Sequence, residues 1–430
     1  MRRWFALFSL IPGIAMVFVD QSVLPVALPT LQTELDATSA SLWWCINSYL
    51  LVSAVLMLAC GKWGDRIGYR KAYIIGIGVF GASSVLCGLS TSAAFLIGAR
   101  ALQGVGAALM VPASSPLIMS LFPQNQRGRA IGVNVSISSL FLIMAPLIGG
   151  YLIDVASWRA IFWINIPLAL LGVFLVPFFV PDSQGKKTSF DPIGFFFFAL
   201  SSSALIIFIM QGEAEAWVTW FNGALFVLFC VFGIFLFRRE KTTKNSFFDL
   251  SLFRHPVYKA VNVSVFATQF VMMITVYRAV FFQEVMGWSP FKSGVVFCLT
   301  STPILFTSPL GGWLADHFGP KKPITIGFIL LILSFVGMVF FVDNFSMVIV
   351  SLLAFGIGIP LIFTPSYSSA MGAIPPQKAG AAFGVLATVR SLGATLGVAL
   401  ITSVAEEVHW HRFLSYLIKI RARKQSLLRF

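Results

Sequence analysis

The chain has 430 residues, of which 58% are hydrophobic and only 11% charged, whereas a typical soluble domain carries about 25% charged residues. That much apolar surface cannot be hidden in one water-soluble core, so a soluble enzyme, a disordered chain and a secreted disulfide scaffold are excluded, and the solvent must be lipid. The net charge of +14 is no nucleic-acid signature, because the basic residues sit in short loops between apolar runs and not on one face.

A bilayer core of about 30 Å takes about 20 apolar residues per helix. The apolar runs predict thirteen spans, at roughly 5–28, 43–61, 73–91, 94–119, 131–153, 161–180, 192–210, 217–237, 260–282, 293–313, 324–341, 346–366 and 380–403. Long unbroken runs exclude an outer-membrane barrel, whose strands alternate every second residue. The first span follows Arg2 and Arg3. It is too long for a cleaved leader and runs into Pro25 and Pro29 without a small-residue cleavage site, so it reads as an anchored span. Four phenylalanines in a row, Phe195 to Phe198 in the seventh span, are expected to face lipid.

Lysine and arginine fix the expected orientation. With the N-terminus inside, nineteen of the 30 fall in inside segments, and only Arg159 and Lys292 fall in outside loops. Arg100, Arg278 and Arg390 lie at membrane depth, and the remaining six are in the tail. The tail beyond residue 404 would lie outside in this count, yet it is basic and its apolar stretch is too short to cross. Either a fourteenth span is missing or this stretch is an interfacial helix.

The sequence also contains a repeat. Gly61-Lys-Trp-Gly-Asp65-Arg66-Ile-Gly68-Tyr-Arg70-Lys71 follows the second span, and Gly312-Trp-Leu-Ala-Asp316-His317-Phe-Gly319-Pro-Lys321-Lys322 follows the tenth. Each places a glycine one helical turn before an aspartate, on the same face, and a second glycine three residues after it. Small residues allow close helix approach, and the aspartate can accept from a helix N-terminus or a loop arginine. The expected device is a latch at the cytoplasmic mouth, made by Gly61, Asp65, Arg66, Gly68, Arg70, Asp316 and Gly319. Eight spans separate the two copies where six would make simple halves, so two spans are inserted. The expected organisation is a six-span bundle over 1–181, two inserted spans and a linker over 182–258, a five-span bundle over 259–403, and a basic tail over 404–430.

These residues resemble the major facilitator superfamily, and within it the fourteen-span drug:proton antiporter group. The loop after the second span matches the superfamily signature. The first span reads Asp20-Gln-Ser-Val-Leu-Pro25-Val-Ala27-Leu28-Pro29, and the fourth reads Arg100-Ala-Leu-Gln103-Gly104-Val-Gly106. Trp158-Arg159-Ala-Ile-Phe162-Trp163-Ile-Asn165-Ile-Pro167 is similar to the stretch that opens the sixth span in that group, and Arg390-Ser-Leu-Gly393 fits the thirteenth. The fifth span departs from the group. It has Ala145-Pro146-Leu-Ile-Gly149-Gly150 where a Gly-Pro centre is usual, and Phe141 where a glycine is usual. The resemblance implies an all-α polytopic membrane protein of the major facilitator fold, made of two six-helix bundles with two extra helices between them and the last helix missing. Pro146, Gly149 and Gly150 would form a hinge.

An ionisable group at membrane depth costs at least about 2.5–3.5 kcal/mol, so it is expected to serve function. Asp20 is the one acid well inside a span, and burial favours the protonated form of a carboxyl, which makes Asp20 the expected proton site. Arg100 is its expected partner, biasing the carboxylate without itself giving up a proton. Arg278 is expected either to face a cavity or to reach the outer interface, and Arg390 to pack helices. Asn47, Tyr49, Gln103, Asn134, Gln269, Tyr277 and Arg278 are the expected substrate contacts, with Gln283 a further polar candidate. The five cysteines (Cys45, Cys60, Cys87, Cys230 and Cys298) read as small buried hydrophobes, and His409-Trp410-His411 is no metal motif. No phosphate-binding glycine loop, catalytic triad or metal constellation is present, so no enzymatic activity, cofactor or metal is expected.

The expected activity is proton-coupled export of small amphipathic organic molecules by alternating access, from the cell inner membrane, with the N-terminus cytoplasmic. Its partners would be a small-molecule substrate, protons and membrane lipids, with no nucleic acid and a monomer as the working unit. Two alternatives stand beside it: a truncated, non-transporting remnant or receptor with the same fold, and a metabolite facilitator or importer.

Overall fold

The computed structural model describes residues 2–123, 127–183, 185, 190–210, 219–243, 247, 250–275, 278, 282–283, 287–341, 344–374 and 379–407. Backbone groups have no water to bond in a bilayer, so each span must satisfy its own N–H and C=O groups as a helix. Among the described residues the chain does this in fifteen α-helical segments. The first half holds α1 (Arg2–Glu34), α2 (Ser39–Ile67), α3 (Tyr69–Gly88), α4 (Ala93–Leu121), α5 (Arg127–Val155), α6 (Ala160–Trp163) and α7 (Asn165–Phe179). Then come α8 (Pro192–Met210) and α9 (Trp220–Thr242). The second half holds α10 (Pro256–Met272), α11 (Pro290–Ser301), α12 (Pro303–Phe318), α13 (Lys321–Phe340), α14 (Phe345–Ala373) and α15 (Ala379–Glu407).

Every predicted span holds a helix, but two are divided. The sixth is broken at Ile164 into α6 and α7, and the tenth at Thr302 into α11 and α12. Pro303 explains the second break, because it removes a backbone donor and sets its own φ. The ninth span, predicted to residue 282, runs as regular helix only to Met272 and turns at Met273. Helix starts are capped by short polar side chains: Thr38 accepts from the Ser41 amide, Ser92 from Phe95, Thr219 from Asn222 and Ser289 from Lys292. Each cap satisfies an amide that the first turn leaves open.

In the first half, α4 packs on α2 and α3, and α1 packs on α5 and α7. In the second, α14 packs on α10, α11, α12 and α13, while α10 also meets α15. The halves meet along two seams, α5 on α11 and α2 on α15. The inserted pair α8–α9 lies over the second seam, with α8 touching both α2 and α15. Ile206 of α8 is buried with Trp44, Leu51, Leu392 and Leu396, which come from both halves.

The expectation that Phe195 to Phe198 face lipid is corrected. Phe198 is buried against Phe247 and Leu58, Phe195 packs on Phe247, and Phe197 stacks on Phe235, which leaves Phe196 as the exposed one. Four consecutive residues are spread over about 300° around a helix, so they cannot all point one way. The lipid side is seen instead on α9 and α13, where Trp220 is 85% and Phe340 75% exposed. Nine helices among the described residues are long and apolar enough to cross a membrane.

The two copies of the repeat end alike. Gly68 closes α2 at φ +96° and Gly319 closes α12 at φ +78°, a region that L side chains rarely enter.

Candidate functional site

A cavity of about 1310 Å³, counting the open space at its mouth, lies between the halves. The first half contributes Val17, Asp20, Gln21, Tyr49, Met57, Arg100 and Pro146 to its wall, and the second contributes Gln269, Met272, Thr300, Ser301, Phe355, Arg390 and Ser391. Mostly apolar walls with a few polar groups suit an amphipathic organic molecule.

Asp20 and Arg100, eighty residues apart, meet on this wall. Asp20 is 4% exposed and Arg100 1%. Arg100 Nη1 donates to both carboxylate oxygens, at 2.7 and 2.6 Å. Its Nε donates to the Cys45 carbonyl at 3.0 Å, and its guanidinium lies 4.5 Å from the centre of the Tyr49 ring. Gln103, one turn after Arg100 on α4, reaches the same group. Its Nε2 donates to Asp20 Oδ1 at 3.0 Å and to Ser84 Oγ at 3.0 Å, while its Oε1 accepts from Arg100. Asn165 Nδ2 extends the chain to Ser84 at 3.4 Å. Five helices of the first half, α1, α2, α3, α4 and α7, thus supply one network. A buried pair of this kind is stable only while its remaining donors and acceptors are satisfied, and removing one partner costs about 3–5 kcal/mol.

The other expected contacts scatter. Tyr49 and Gln269 line the cavity. Gln103 is fully buried in the Asp20 network. Asn47 is fully buried on α2, and neither of its side-chain polar atoms has a hydrogen-bond partner. Asn134 is half-buried on α5, with its side-chain oxygen unpaired. Tyr277 lies outside the described residues, as does the tail from residue 408, with its His-Trp-His. Arg278 is 6% exposed, and all three of its guanidinium nitrogens lack a partner. It rests 4.0 Å from the centre of the Phe355 ring, which lines the cavity, and is not itself among the residues of the cavity wall. Arg390 stands on the cavity wall.

At the repeat, Tyr69 Oη donates to Asp65, so the acid is held by its own helix–turn. Arg70 makes the longer reach: its Nη2 donates to the Pro177 carbonyl at 2.7 Å and its amide to Ser183 Oγ at 2.8 Å. A Cβ on Gly61 would stand 3.5 Å from Pro112, an ordinary contact. Arg66 is exposed, and Asp316 lies on α12 one turn before Gly319.

Pro146, Gly149 and Gly150 lie where α5 meets its neighbours. A Cβ on Gly149 would sit 2.4 Å from Val23 of α1, and one on Gly150 would sit 2.6 Å from the Pro290 carbonyl. Opposite them, a Cβ on Gly294 would come 2.3 Å from the Pro146 carbonyl. The halves are joined at this same end by two further bonds. Asp154 Oδ2 accepts from the Phe291 amide at 3.2 Å, and Gln283 Nε2 donates to the Val26 carbonyl at 3.0 Å.

Ser84, Asn165 and the Cys45 carbonyl belong to the site without being among the expected contacts. Asn165 carried a signal, because it is a polar residue inside an apolar stretch. The carbonyl carried none, because every residue has one.

Comparison with known proteins places this geometry among transporters. The pattern that defines the Major Facilitator Superfamily matches residues 10–398. The riboflavin transporter RibZ of Clostridioides difficile strain 630 is 31% identical over 411 residues, covering 94% of this chain and 88% of that protein. The multidrug resistance protein Stp of Mycobacterium tuberculosis is 33% identical over 398 residues, covering 91% of this chain and 74% of its own. The crystal structure of a D-xylose–proton symporter superposes with a TM-score of 0.69 at 16% identity, over 96% of this chain and 94% of the symporter. That likeness shows the shared fold.

Proposed function

Because this chain belongs to the major facilitator superfamily, we propose that it is a proton-coupled exporter of small amphipathic organic molecules, with Asp20 as its proton site. The observation that carries the reading is a carboxylate 4% exposed, paired with an arginine, on the wall of a cavity between two halves. In the ionised state Asp20 neutralises Arg100. When Asp20 takes a proton, Arg100 loses its counter-charge and is left with neutral partners: the Cys45 carbonyl, Gln103 Oε1, the Tyr49 ring and the remaining carbonyl oxygen of the carboxyl. The two protonation states therefore hold different networks, which is what a coupling ion needs in order to bias two conformations. Export is supported by the drug-resistance name of Stp. A specific metabolite as cargo is the second reading, favoured by the riboflavin-transporter name of RibZ.

The test uses inverted membrane vesicles with an imposed proton gradient. Candidate compounds are added and proton release is followed with a pH-sensitive dye. The wild-type chain should release protons on addition of a substrate, and Asp20→Asn should not, although it reaches the membrane. Asn leaves Arg100 uncompensated, so the double variant Asp20→Asn/Arg100→Gln is the control for folding. It should recover the stability lost by the single change without recovering coupling. Proton release of wild-type size and pH dependence in Asp20→Asn would refute the assignment.

A further inference from the structure

Among the described residues, three that line the central cavity are charged: Asp20, Arg100 and Arg390. Asp20 and Arg100 cancel each other in a 2.6 Å ion pair within the first half. Neither Arg390 nor Arg278 takes part in the ion pairs seen among the described residues. The wall supplied by the second half is therefore positive. Gln269, Thr275, Thr300, Ser301 and Ser391 are the uncharged polar residues described on that wall, and none of them brings a compensating charge.

Arg278 adds to this field. Its guanidinium is buried without one hydrogen-bond acceptor, and its described neighbour is the Phe355 ring, which itself lines the cavity. A ring face offsets only a small part of what it costs to strip water from a guanidinium. A cation held so incompletely stabilises an anion that arrives, and a cleft with low-dielectric walls focuses that attraction into its interior. Arginine also presents its donors in a planar fork that matches the oxygens of a carboxylate, sulfonate or phosphate.

We propose that the second half supplies an anion subsite, in which Arg390 on the cavity wall, reinforced by Arg278 behind Phe355, receives the acidic group of an otherwise apolar organic substrate. This deepens the transport reading and rests on it. The apolar body of the substrate lies against Met272, Phe355 and Ile359. Organic cations are disfavoured, because Asp20, the carboxylate among the described residues of the wall, is already paired.

The test is equilibrium binding to the full-length chain in neutral detergent, read by fluorescence polarisation at pH 8. The probes are fluorescein, which is anionic, and rhodamine 123, a cationic ester on a similar three-ring body. The wild type should bind fluorescein at least about tenfold more tightly. Arg390→Gln should cost fluorescein about tenfold or more and leave rhodamine 123 unchanged or tighter. Arg390→Lys should keep the preference, and Arg278→Gln should cost fluorescein about threefold through charge alone. Gln269→Glu adds a negative charge to the same wall and carries the test if Arg390→Gln cannot be purified folded, since it should invert the preference. Equal loss of both dyes in Arg390→Gln, tighter wild-type binding of rhodamine 123, or no saturable fluorescein binding would overturn the proposal. No gradient is present, so a failure of proton coupling leaves this measurement intact, and a failure here leaves the proton-release experiment to stand alone.

Discussion

The seam between α5 and α11 allows a sharp test, because its contacts are backbone on backbone. A Cβ on Gly294 would stand 2.3 Å from the Pro146 carbonyl oxygen, where ordinary contact begins at 3.4 Å, so the helices must part by about 1.1 Å. For Gly150 and the Pro290 carbonyl the separation is 2.6 Å and the shortfall about 0.8 Å. A side chain could swing aside, but a helix carbonyl cannot without breaking its own ladder. Overpacking of this kind costs about 1–3 kcal/mol. If alternating access opens this seam, that cost falls on the closed form alone, and each 1.4 kcal/mol shifts the closed–open balance about tenfold. Gly294→Ala should therefore favour the form open at the Asp154 end by roughly tenfold to a hundredfold. The two glycines press on the same pair of helices, so their effects should not add. The assay places a single cysteine at Ser301, which lines the cavity, in a chain otherwise free of cysteine. Its rate of reaction with a membrane-impermeant thiol reagent applied from the Asp154 side is then measured. Gly223→Ala is the control, because a Cβ there meets nothing within 4 Å. A folded Gly294→Ala protein that labels no faster than the Gly223→Ala control would refute the reasoning.

Two further outcomes follow from single contacts. Gly68 and Gly319 share a positive φ, but a Cβ on Gly68 would also strike the Ser183 carbonyl at 2.0 Å while one on Gly319 meets nothing. Gly319→Ala should cost about 1 kcal/mol in stability, and Gly68→Ala clearly more, as seen in thermal unfolding in detergent; equal losses would count against the contact. Asp191, buried just before α8, accepts from Arg239 Nε at 2.9 Å, Arg239 Nη2 at 2.8 Å and the Gly194 amide at 3.0 Å. Burial alone would push its carboxyl up, but these hydrogen bonds outweigh it and hold it below the usual carboxylate range. A carboxyl so lowered stabilises the fold above its unfolded value near about 3.9, and that contribution is lost as pH falls through the folded value. Asp191→Asn should therefore lower the melting temperature at pH 7, and the difference from wild type should shrink steadily below about pH 4. A difference that stays constant down to pH 2 would show that the charge is not what matters.

The helices were legible because lipid demands long apolar runs, and the pairing of Asp20 with Arg100 because two opposite charges at membrane depth have few other ways to be tolerated. The direction each side chain faces was not legible. In water a helix shows an apolar stripe toward its core, but in a bilayer both the protein interior and the lipid are apolar, and the stripe fades. Phe195 to Phe198 therefore could not be sorted in advance, and Gln103 was expected to touch substrate when it is buried around Asp20. Arg390 was expected to pack helices for the same reason, and it stands on the cavity wall. The break at Ile164 has no proline at the division itself to announce it.

The inserted pair α8–α9 covers one line where the halves meet and leaves the other, among the described helices, without such a cover. A molecule dissolved among the acyl chains would find the α2–α15 flank walled off by two extra helices. Among the described helices the α5–α11 flank would be its sideways doorway into the protein, so cargo drawn from the bilayer would enter from that side.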